Sequence, residues 1–392
     1  MTRSNFSAYA ARLREFILRS SDFSSDQYQR AGAGVRLEEE PFQELALALF
    51  NLQFECNRAY RAFCQMKGVA PEQVSHWTQI PAMPAAGFKE MEMTSLEPAE
   101  RTVVFYSSGT TAEKRSAHFH NQESLAIYEA SLLPWFQAHV LGEESAHQLA
   151  GESRLKMLFL TPPPEAAPHS SLAHMFECVR REFGGPGSSF TGRVDANGAW
   201  TLDLVRTRDE LVRATGANTP IALFGTAFNF VHLLDYLVAH PLPRLLPAGS
   251  RVLETGGYKG RSRAVPKAEL HTLIARNLGV ELDYIISEYG MSELSSQAYD
   301  RAVPGAGPRV SDRVALRVFQ FPPWARAQVI SPESEREVEE GETGLIRVYD
   351  LANVRSVLSI QTDDLGIRRG TGFQLVGRAS LAEPRGCSLM VA

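Results

Sequence analysis

Apolar residues recur at helical spacing from Phe6 to about Lys67, with Phe42, Leu45, Leu49, Leu52 and Tyr60 along one stripe. This predicts a helical N-terminal region carrying one long amphipathic helix. The segment Ile80-Pro81-Ala82-Met83-Pro84-Ala85 ends it, because each proline biases the residue before it toward extended backbone. Short apolar runs then alternate with helical patterns: a run from Val103 to Tyr106, a helix from about Gln122, a run from Met157 to Leu160, a helix around Leu172 to Arg181, a run from Ile221 to Phe224 and a helix to about Val238. Such alternation predicts a largely parallel sheet flanked by helices. From about Pro308 the texture changes to alternating runs, Val314 to Phe319, Leu345 to Tyr349 and Phe373 to Val376, which suit a small antiparallel or barrel-like unit. The expected class is therefore α/β. Its expected divisions are an N-terminal helical region over residues 1–80, an α/β core over 81–307, a small β subdomain over 308–378 and a tail over 379–392. No internal repeat or low-complexity tract interrupts this order.

Composition narrows the function more than the fold. With 392 residues, 44% of them hydrophobic and 22% charged, the chain has the profile of an ordinary globular protein with a large core. The formal net charge is −5 and the basic residues are scattered, which leaves no footprint for a polyanionic nucleic acid or an acidic membrane surface. A small-molecule partner is expected instead. No apolar run approaches the ~20 residues needed to span a bilayer, and the charged N-terminus has no export pattern, so a cytoplasmic location is expected. Four dispersed cysteines form neither a disulfide framework nor a zinc-spaced cluster in sequence. Cys56, Cys64 and Cys178 read as small buried thiols on apolar helix faces.

Four segments carry candidate chemistry. Tyr106-Ser107-Ser108-Gly109-Thr110-Thr111-Ala112-Glu113-Lys114-Arg115-Ser116 follows a strand-like run. Its small-residue turn lets backbone N–H groups converge on anionic oxygens, its hydroxyls add donors, and Lys114 and Arg115 supply compensating charge, a chemistry that suits polyphosphate. It is not a Walker A loop. On composition alone it is equally a polar surface turn rich in Ser and Thr. Tyr289-Gly290-Met291-Ser292-Glu293 follows the apolar run Tyr284-Ile285-Ile286 and offers an aromatic face, a close backbone approach, a phosphate donor and a Mg²⁺-binding carboxylate. Read alone, it is also a tight turn at a strand end. Gln361-Thr362-Asp363-Asp364-Leu365-Gly366 precedes Gly377-Arg378, and a carboxylate with a nearby guanidinium suits ribose and phosphate, or else a turn and a solvated charge. Upstream, Glu254-Thr255-Gly256-Gly257-Tyr258-Lys259-Gly260-Arg261 is a glycine-rich strand end, where ligands gather in open α/β sheets, and on composition equally a flexible surface hairpin.

The string Ser-Ser-Gly-Thr-Thr followed by Arg115-Ser116 and His118 resembles the nucleotide loop of the adenylate-forming superfamily, and specifically its acyl-protein synthetase family, known from bacterial bioluminescence fatty-acid reductase. The other segments follow in that family's order, and Phe88-Lys89-Glu90 resembles the same group. The resemblance implies an adenylate-forming large-domain fold with ATP and Mg²⁺ as cofactors. It implies that Ser107, Ser108, Gly109, Thr110 and Thr111 hold phosphates with Lys114 and Arg115, that Gly256 and Gly257 line the adenine side of the pocket, that Tyr289 stacks on adenine with Gly290 beside it, and that Ser292 contacts the α-phosphate. Glu293 would ligate Mg²⁺, Asp364 would hold ribose, and Arg378 would be the hinge arginine. Ala112 stands where Gly is usual. Only fourteen residues follow Arg378, so the full mobile C-terminal domain of acyl-CoA synthetases is not expected, whereas acyl-protein synthetases end near this point.

The tail Glu383-Pro384-Arg385-Gly386-Cys387-Ser388-Leu389 places a thiol beside Arg385 on a Gly-flanked terminus, which on the residues alone reads first as an inert terminal cysteine and otherwise as a thiol suited to attack an acyl-adenylate. By resemblance Cys387 is the residue that takes the acyl group as a thioester. Leu160-Thr161-Pro162-Pro163-Pro164 leads to His169, Ser170, Ser171 and His174, a Ser/His pairing without the Gly-x-Ser-x-Gly elbow of a hydrolase. The implied activity is an AMP-forming acid–thiol ligase acting on a fatty or aryl acid, with an acyl reductase or acyl carrier as partner. The alternatives are an acyl- or aryl-CoA ligase, or a non-catalytic nucleotide-binding member of an acyl reductase complex.

Overall fold

A computed structural model describes residues 2–21, 39–107, 114–142, 154–256, 265–302 and 317–379. Among the described residues, three helices open the chain: α1 (Thr2–Ser20), α2 (Glu39–Cys56) and α3 (Arg58–Met66). The stripe read as one long helix is thus two. Asn57 breaks it by adopting an extended conformation (φ −96, ψ 99), and its side chain accepts from the Tyr60 N–H as the cap of α3. A hairpin of β1 (Val103–Tyr106) and β2 (Ala117–His120) forms a small sheet of its own. It is followed by α4 (Gln122–Phe136), β3 (Lys156–Phe159), α5 (Ser171–Phe183), β4 (Ser189–Phe190), α6 (Leu204–Ala217), β5 (Ile221–Thr226), α7 (Ala227–Ala239), β6 (Arg251–Thr255) and α8 (Lys267–Leu278). The chain then runs through β7 (Ile285–Tyr289), β8 (Ala298–Ala302), β9 (Arg317–Gln320), β10 (Ala325–Ile330), β11 (Thr343–Asp350), β12 (Ser359–Arg369) and β13 (Gly372–Arg378).

The large sheet has the order β10-β11-β12-β13-β9-β8-β7-β6-β5-β3-β4, with Met83–Pro84 pairing beside β12. Strands β3 to β7 in this sheet pair in parallel, whereas β7 to β13 pair antiparallel, so one hydrogen-bonded surface joins both textures seen in the sequence. The parallel strands read as continuous apolar runs because helices cover both faces. Along β5, Ile221 and Leu223 enter the core beneath α6, α7 and α8, while Ala222 and Phe224 enter the core shared with α1, α2, α4 and α5. In β3, Leu158 takes the first side and Met157 and Phe159 the second. Each such fully buried Leu or Phe contributes about 1.5–3 kcal/mol. What this arrangement fixes is the line of strand ends along β5, β6 and β7, against which the β1–β2 hairpin is set. Among the described residues, no helix is long and apolar enough to cross a membrane.

Candidate functional site

The hairpin closes the base of the Ser/Thr-rich loop that follows Tyr106. Tyr106 pairs with Ala117, the Ser107 N–H donates to the Ser116 carbonyl at 3.0 Å, and the Ser116 N–H donates back to the Ser107 hydroxyl at 3.0 Å. The two ends of the loop are therefore held together whatever lies between them. Phe105 anchors β1 in the core, and the Tyr106 N–H donates to the His169 carbonyl at 2.9 Å. Lys114 donates to Glu90 at 3.2 Å with both side chains exposed, and the Arg115 guanidinium lies 5.5 Å from the Tyr106 ring centre. Two cations thus stand at the loop's base.

The second segment meets the hairpin directly. The Ser116 hydroxyl donates to one carboxylate oxygen of Glu293 at 2.5 Å, and the Ser292 hydroxyl donates to the other at 3.1 Å. His118 Nδ1 lies 2.9 Å from the Ser292 carbonyl, which can only accept, so this nitrogen carries the proton. Burial holds the His118 imidazole down at about 4, with the Ser292 carbonyl opposing, and the ring stays neutral. The Asn353 amide donates to the Glu293 carbonyl at 3.1 Å, and Asp350 accepts from the Ser295 and Ser296 N–H groups at 2.9 and 2.8 Å. The turn carrying Glu293 is therefore fixed on both sides. Glu293 is 5% exposed, and among the described residues no Lys, Arg or His forms an ion pair with it.

The third segment converges on the same strand end. Asp364 and Arg378 are direct cross-strand partners in β12 and β13, with Arg378 Nε 3.4 Å from Asp364 Oδ1. The Tyr289 hydroxyl donates to Asp364 Oδ2 at 2.9 Å. Asp363, by contrast, is exposed. The Tyr289 ring is buried, with Phe319, Phe321 and Phe373 set edge-on at 6.0, 6.2 and 5.2 Å, and burial followed by the Asp364 charge pushes its phenol well above the usual range. Gly256, at the end of β6, has φ +69 with no atom within 4 Å of where a Cβ would stand, so conformation rather than crowding calls for glycine. At Gly290 the reason is crowding, because a Cβ would lie 2.1 Å from Glu288 Oε1.

Beneath these strand ends lies a charged layer in which only Glu254 and Thr255 belong to a segment singled out in the sequence. Burial pushes the Glu288 carboxyl up to about 7, the Thr255 hydroxyl donated to it opposes this, and Glu254 adds like-charge repulsion. Glu254 is buried too, but Lys267 at 3.8 Å, His271 at 3.3 Å and the Ser287 hydroxyl together hold it below the usual carboxylate range. Ser287, His271 and Glu254 have the composition of a hydrolytic triad without its logic. His271 Nε2 faces both partners, and all three residues are 2% exposed or less, so no substrate reaches them. Asp300 and Arg317 form a bidentate buried pair at 2.8 Å on each arm. Ser170 caps α5 by accepting from the Ala173 N–H at 3.2 Å, and the side-chain partners of His174 are Glu129 and Cys178 rather than a serine.

Of the residues singled out in the sequence, Ser107, Lys114, Arg115, Gly256, Tyr289, Gly290, Ser292, Glu293, Asp364 and Arg378 lie along the hairpin, at or just beyond the ends of β6, β7 and β13, and in the middle of β12. Ser108, Gly109, Thr110, Thr111, Gly257, Lys259 and Cys387 lie outside the described residues. Ser116 and His118 were legible as motif members but not as the contacts to Glu293 and Ser292. A groove of about 400 Å³ lined by Ile17, Leu18, Leu133, Pro134 and Phe183 lies between α1, α4 and α5 and includes none of the nucleotide-type residues.

The family model for LuxE acyl-protein synthetases matches residues 36–392. Two proteins named long-chain-fatty-acid--luciferin-component ligase are similar to the chain. The one from Vibrio harveyi is 22% identical over 358 residues, covering 89% of this chain and 86% of that protein. The one from Aliivibrio fischeri is 22% identical over 369 residues, covering 91% and 89%. Among solved structures, 2-hydroxyisobutyryl-CoA ligase in complex with 2-HIB-AMP and CoA in the thioesterification state has a TM-score of 0.60 at 14% identity, covering 89% of this chain and 70% of that chain. An open conformation of the same ligase with 2-HIB-AMP and CoA has a TM-score of 0.55 at 12% identity, covering 86% and 75%. The mixed α/β architecture with its large sheet is the fold of these adenylate-forming ligases.

Proposed function

The chain belongs to the LuxE family of acyl-protein synthetases, and we propose that it activates a fatty acid with ATP and Mg²⁺ and loads the acyl group on its own Cys387 for an acyl reductase partner. It is an ATP-dependent ligase that activates a carboxylate and transfers the acyl group. The choice of fatty acid and reductase follows the substrate and component named for the two bioluminescence relatives.

The observation that carries the residue roles is the convergence on Glu293, which draws on a hairpin 177 residues earlier in the chain. Glu293 is a buried carboxylate partnered by hydroxyls and by no cation among the described residues, an all-oxygen donor set that suits a hard divalent ion. Mg²⁺ held there would neutralise charge on the phosphates of ATP. Ser107 to Thr111 cradle the β- and γ-phosphates, with Lys114 and Arg115 compensating their charge. Lys114 exchanges Glu90 for phosphate, because an exposed ion pair is worth little. Ser292 donates to the α-phosphate. Asp364, oriented by Tyr289 and Arg378, accepts the ribose hydroxyls, and Gly256, Gly257, Gly290 and Tyr289 border the adenine side.

In the first step a carboxylate oxygen of the acid attacks the α-phosphorus, the bond to the bridging oxygen breaks, and pyrophosphate leaves with that electron pair. In the second, the Cys387 thiolate attacks the acyl carbon and AMP departs, leaving a thioester. The test is acid-dependent pyrophosphate release with ATP, Mg²⁺ and a panel of fatty, aryl and amino acids, with Glu293→Ala as control. Release with long-chain fatty acids that falls about 100-fold or more in the variant supports the reading, and release only with aryl acids would replace the substrate. Labelled acid plus ATP should leave a hydroxylamine-sensitive label that Cys387→Ala abolishes. Labelling unchanged in that variant, or direct CoA thioester formation without Cys387, would remove the acyl-enzyme step.

A further inference from the structure

Helices α4 and α5 bring together three side chains that the adenylation chemistry does not use. His174 and Cys178 sit four residues apart on α5 and share a face, and Glu129 reaches them from α4. His174 Nε2 lies 3.5 Å from Cys178 Sγ and 3.5 Å from Glu129 Oε1, and the three potential ligand atoms all lie within 4.8 Å of one another. A tetrahedral zinc ion, with bonds of about 2.3 Å to sulfur and about 2.1 Å to nitrogen or oxygen, needs a sulfur–nitrogen edge of roughly 3.6 Å and a nitrogen–oxygen edge of roughly 3.4 Å. Both edges formed with His174 are therefore already near those spacings.

The surroundings fit a cation. Arg181 places its guanidinium 3.3 Å from Glu129 and 3.7 Å from Cys178, so positive charge already stands against two of the three groups. Its side chain is 56% exposed and can turn to solvent, whereas Cys178 is buried and His174 and Glu129 are 20% and 31% exposed. The cluster is thus closed on the protein side and open on the other, where a fourth ligand would enter. The His174 ring also lies 5.4 Å from Phe105 of the phosphate hairpin.

We propose that Glu129, His174 and Cys178 bind a zinc ion, with water as the fourth ligand, and that this ion ties α4 to α5 beside the β1–β2 hairpin. Binding exchanges the Cys178 S–H bond for a zinc–sulfur bond and involves no redox step. Burial, followed by the Glu129 charge, pushes the free thiol up to about 12, so each ion bound at neutral pH releases one proton from it.

The experiment uses the full chain stripped of metal by a chelator and titrated with Co²⁺ and then Zn²⁺ as probes. One Co²⁺ per chain should produce a near-ultraviolet thiolate-to-cobalt charge-transfer band, and Zn²⁺ should displace it. Cys178→Ser should abolish the band, and His174→Gln should weaken zinc binding by about 100-fold or more. Cys56→Ser and Cys387→Ser should leave the band in place. Absence of the band in the parent chain, its survival in Cys178→Ser, or its loss in either control variant would overturn the assignment. Should Cys178→Ser fail to fold, Glu129→Gln on the partly exposed side decides. It should weaken zinc binding about tenfold or more with an unchanged melting temperature in the absence of metal, and unchanged zinc affinity would overturn the site.

Discussion

The β1–β2 hairpin carries its charged pair at the surface, where Lys114 and its partner Glu90 are 63% and 69% exposed, whereas the layer beneath carries its paired groups inside, with Glu254, His271, Asp300 and Arg317 all 5% exposed or less. The difference is one of purpose as well as of place. An exposed pair is screened and contributes little, so its members remain available to a passing polyanion. A buried pair is costly to form and costlier to break, so its members are committed to each other and hold their strands in one arrangement. Glu293 lies between the two regimes, buried like the second set and partnered from the hairpin through Ser116.

The sharpest way to break this comparison is Asp300→Ala, which leaves Arg317 buried without its carboxylate. It should cost about 3–5 kcal/mol of stability in urea unfolding, and a loss below about 1 kcal/mol would put the pair in the same class as a surface pair. Acid titration of stability separates the regions next. His118 has a folded value of about 4, below the usual 6.5, so the unfolded chain takes the proton first and His118 withdraws stability as pH falls from 6.5 to 4. The buried His120 and His139, both held well below 6.5, act in the same direction. Glu288 works the other way. Its folded value of about 7 lies above the usual 4.5, so its contribution is present below pH 4.5 and is lost as pH rises through 7, with Glu254 and Lys267 the charges facing it. Glu288→Gln should therefore steepen the loss of stability between pH 6.5 and 4.5, and His118→Gln should make it shallower, each by about 2–3 kcal/mol across the window. Thermal melts over that range that are unaltered by either variant would sink the assignment of neutral buried groups.

Ser116→Ala removes one hydrogen bond to a charged group at the junction of the two regions. It should lower kcat/KM for ATP roughly 10- to 100-fold while changing stability by less than about 1 kcal/mol. The smallest structural effect belongs to Lys114→Ala, expected to change stability by less than about 0.5 kcal/mol while raising the KM for ATP. A stability loss comparable with that of Asp300→Ala would show that the hairpin's surface charge is structural after all.

Element types were legible wherever one rule acts locally. The runs at Ile221 to Phe224 and Leu345 to Tyr349 are strands, and the helix read from Gln122 begins there, with Asn121 as its cap. The long N-terminal stripe misled because Asn57 interrupts the backbone without interrupting the apolar pattern, and only its cap to Tyr60 reveals the break. The pairing of Asp364 with Arg378 was readable as a spacing and is realised as cross-strand register. Nothing in the chain signalled that Glu288 would be held near neutrality, that Asp300 would face Arg317, or that Glu129 would reach His174 and Cys178.

The sequence by itself determined which segments become helices and strands, and which segments carry hydroxyls, cations and carboxylates suited to a nucleotide, because periodicity, capping and turn chemistry act within a few residues. Tertiary structure alone decided which of those polar groups are buried together. The order of strands β3 to β13 brings Glu254 to Ser287 and Tyr289 to Asp364, and the packing of the separate β1–β2 hairpin brings Ser116 to Glu293, across long stretches of chain. Burial and charge pairing depend on those neighbours, not on position along the sequence.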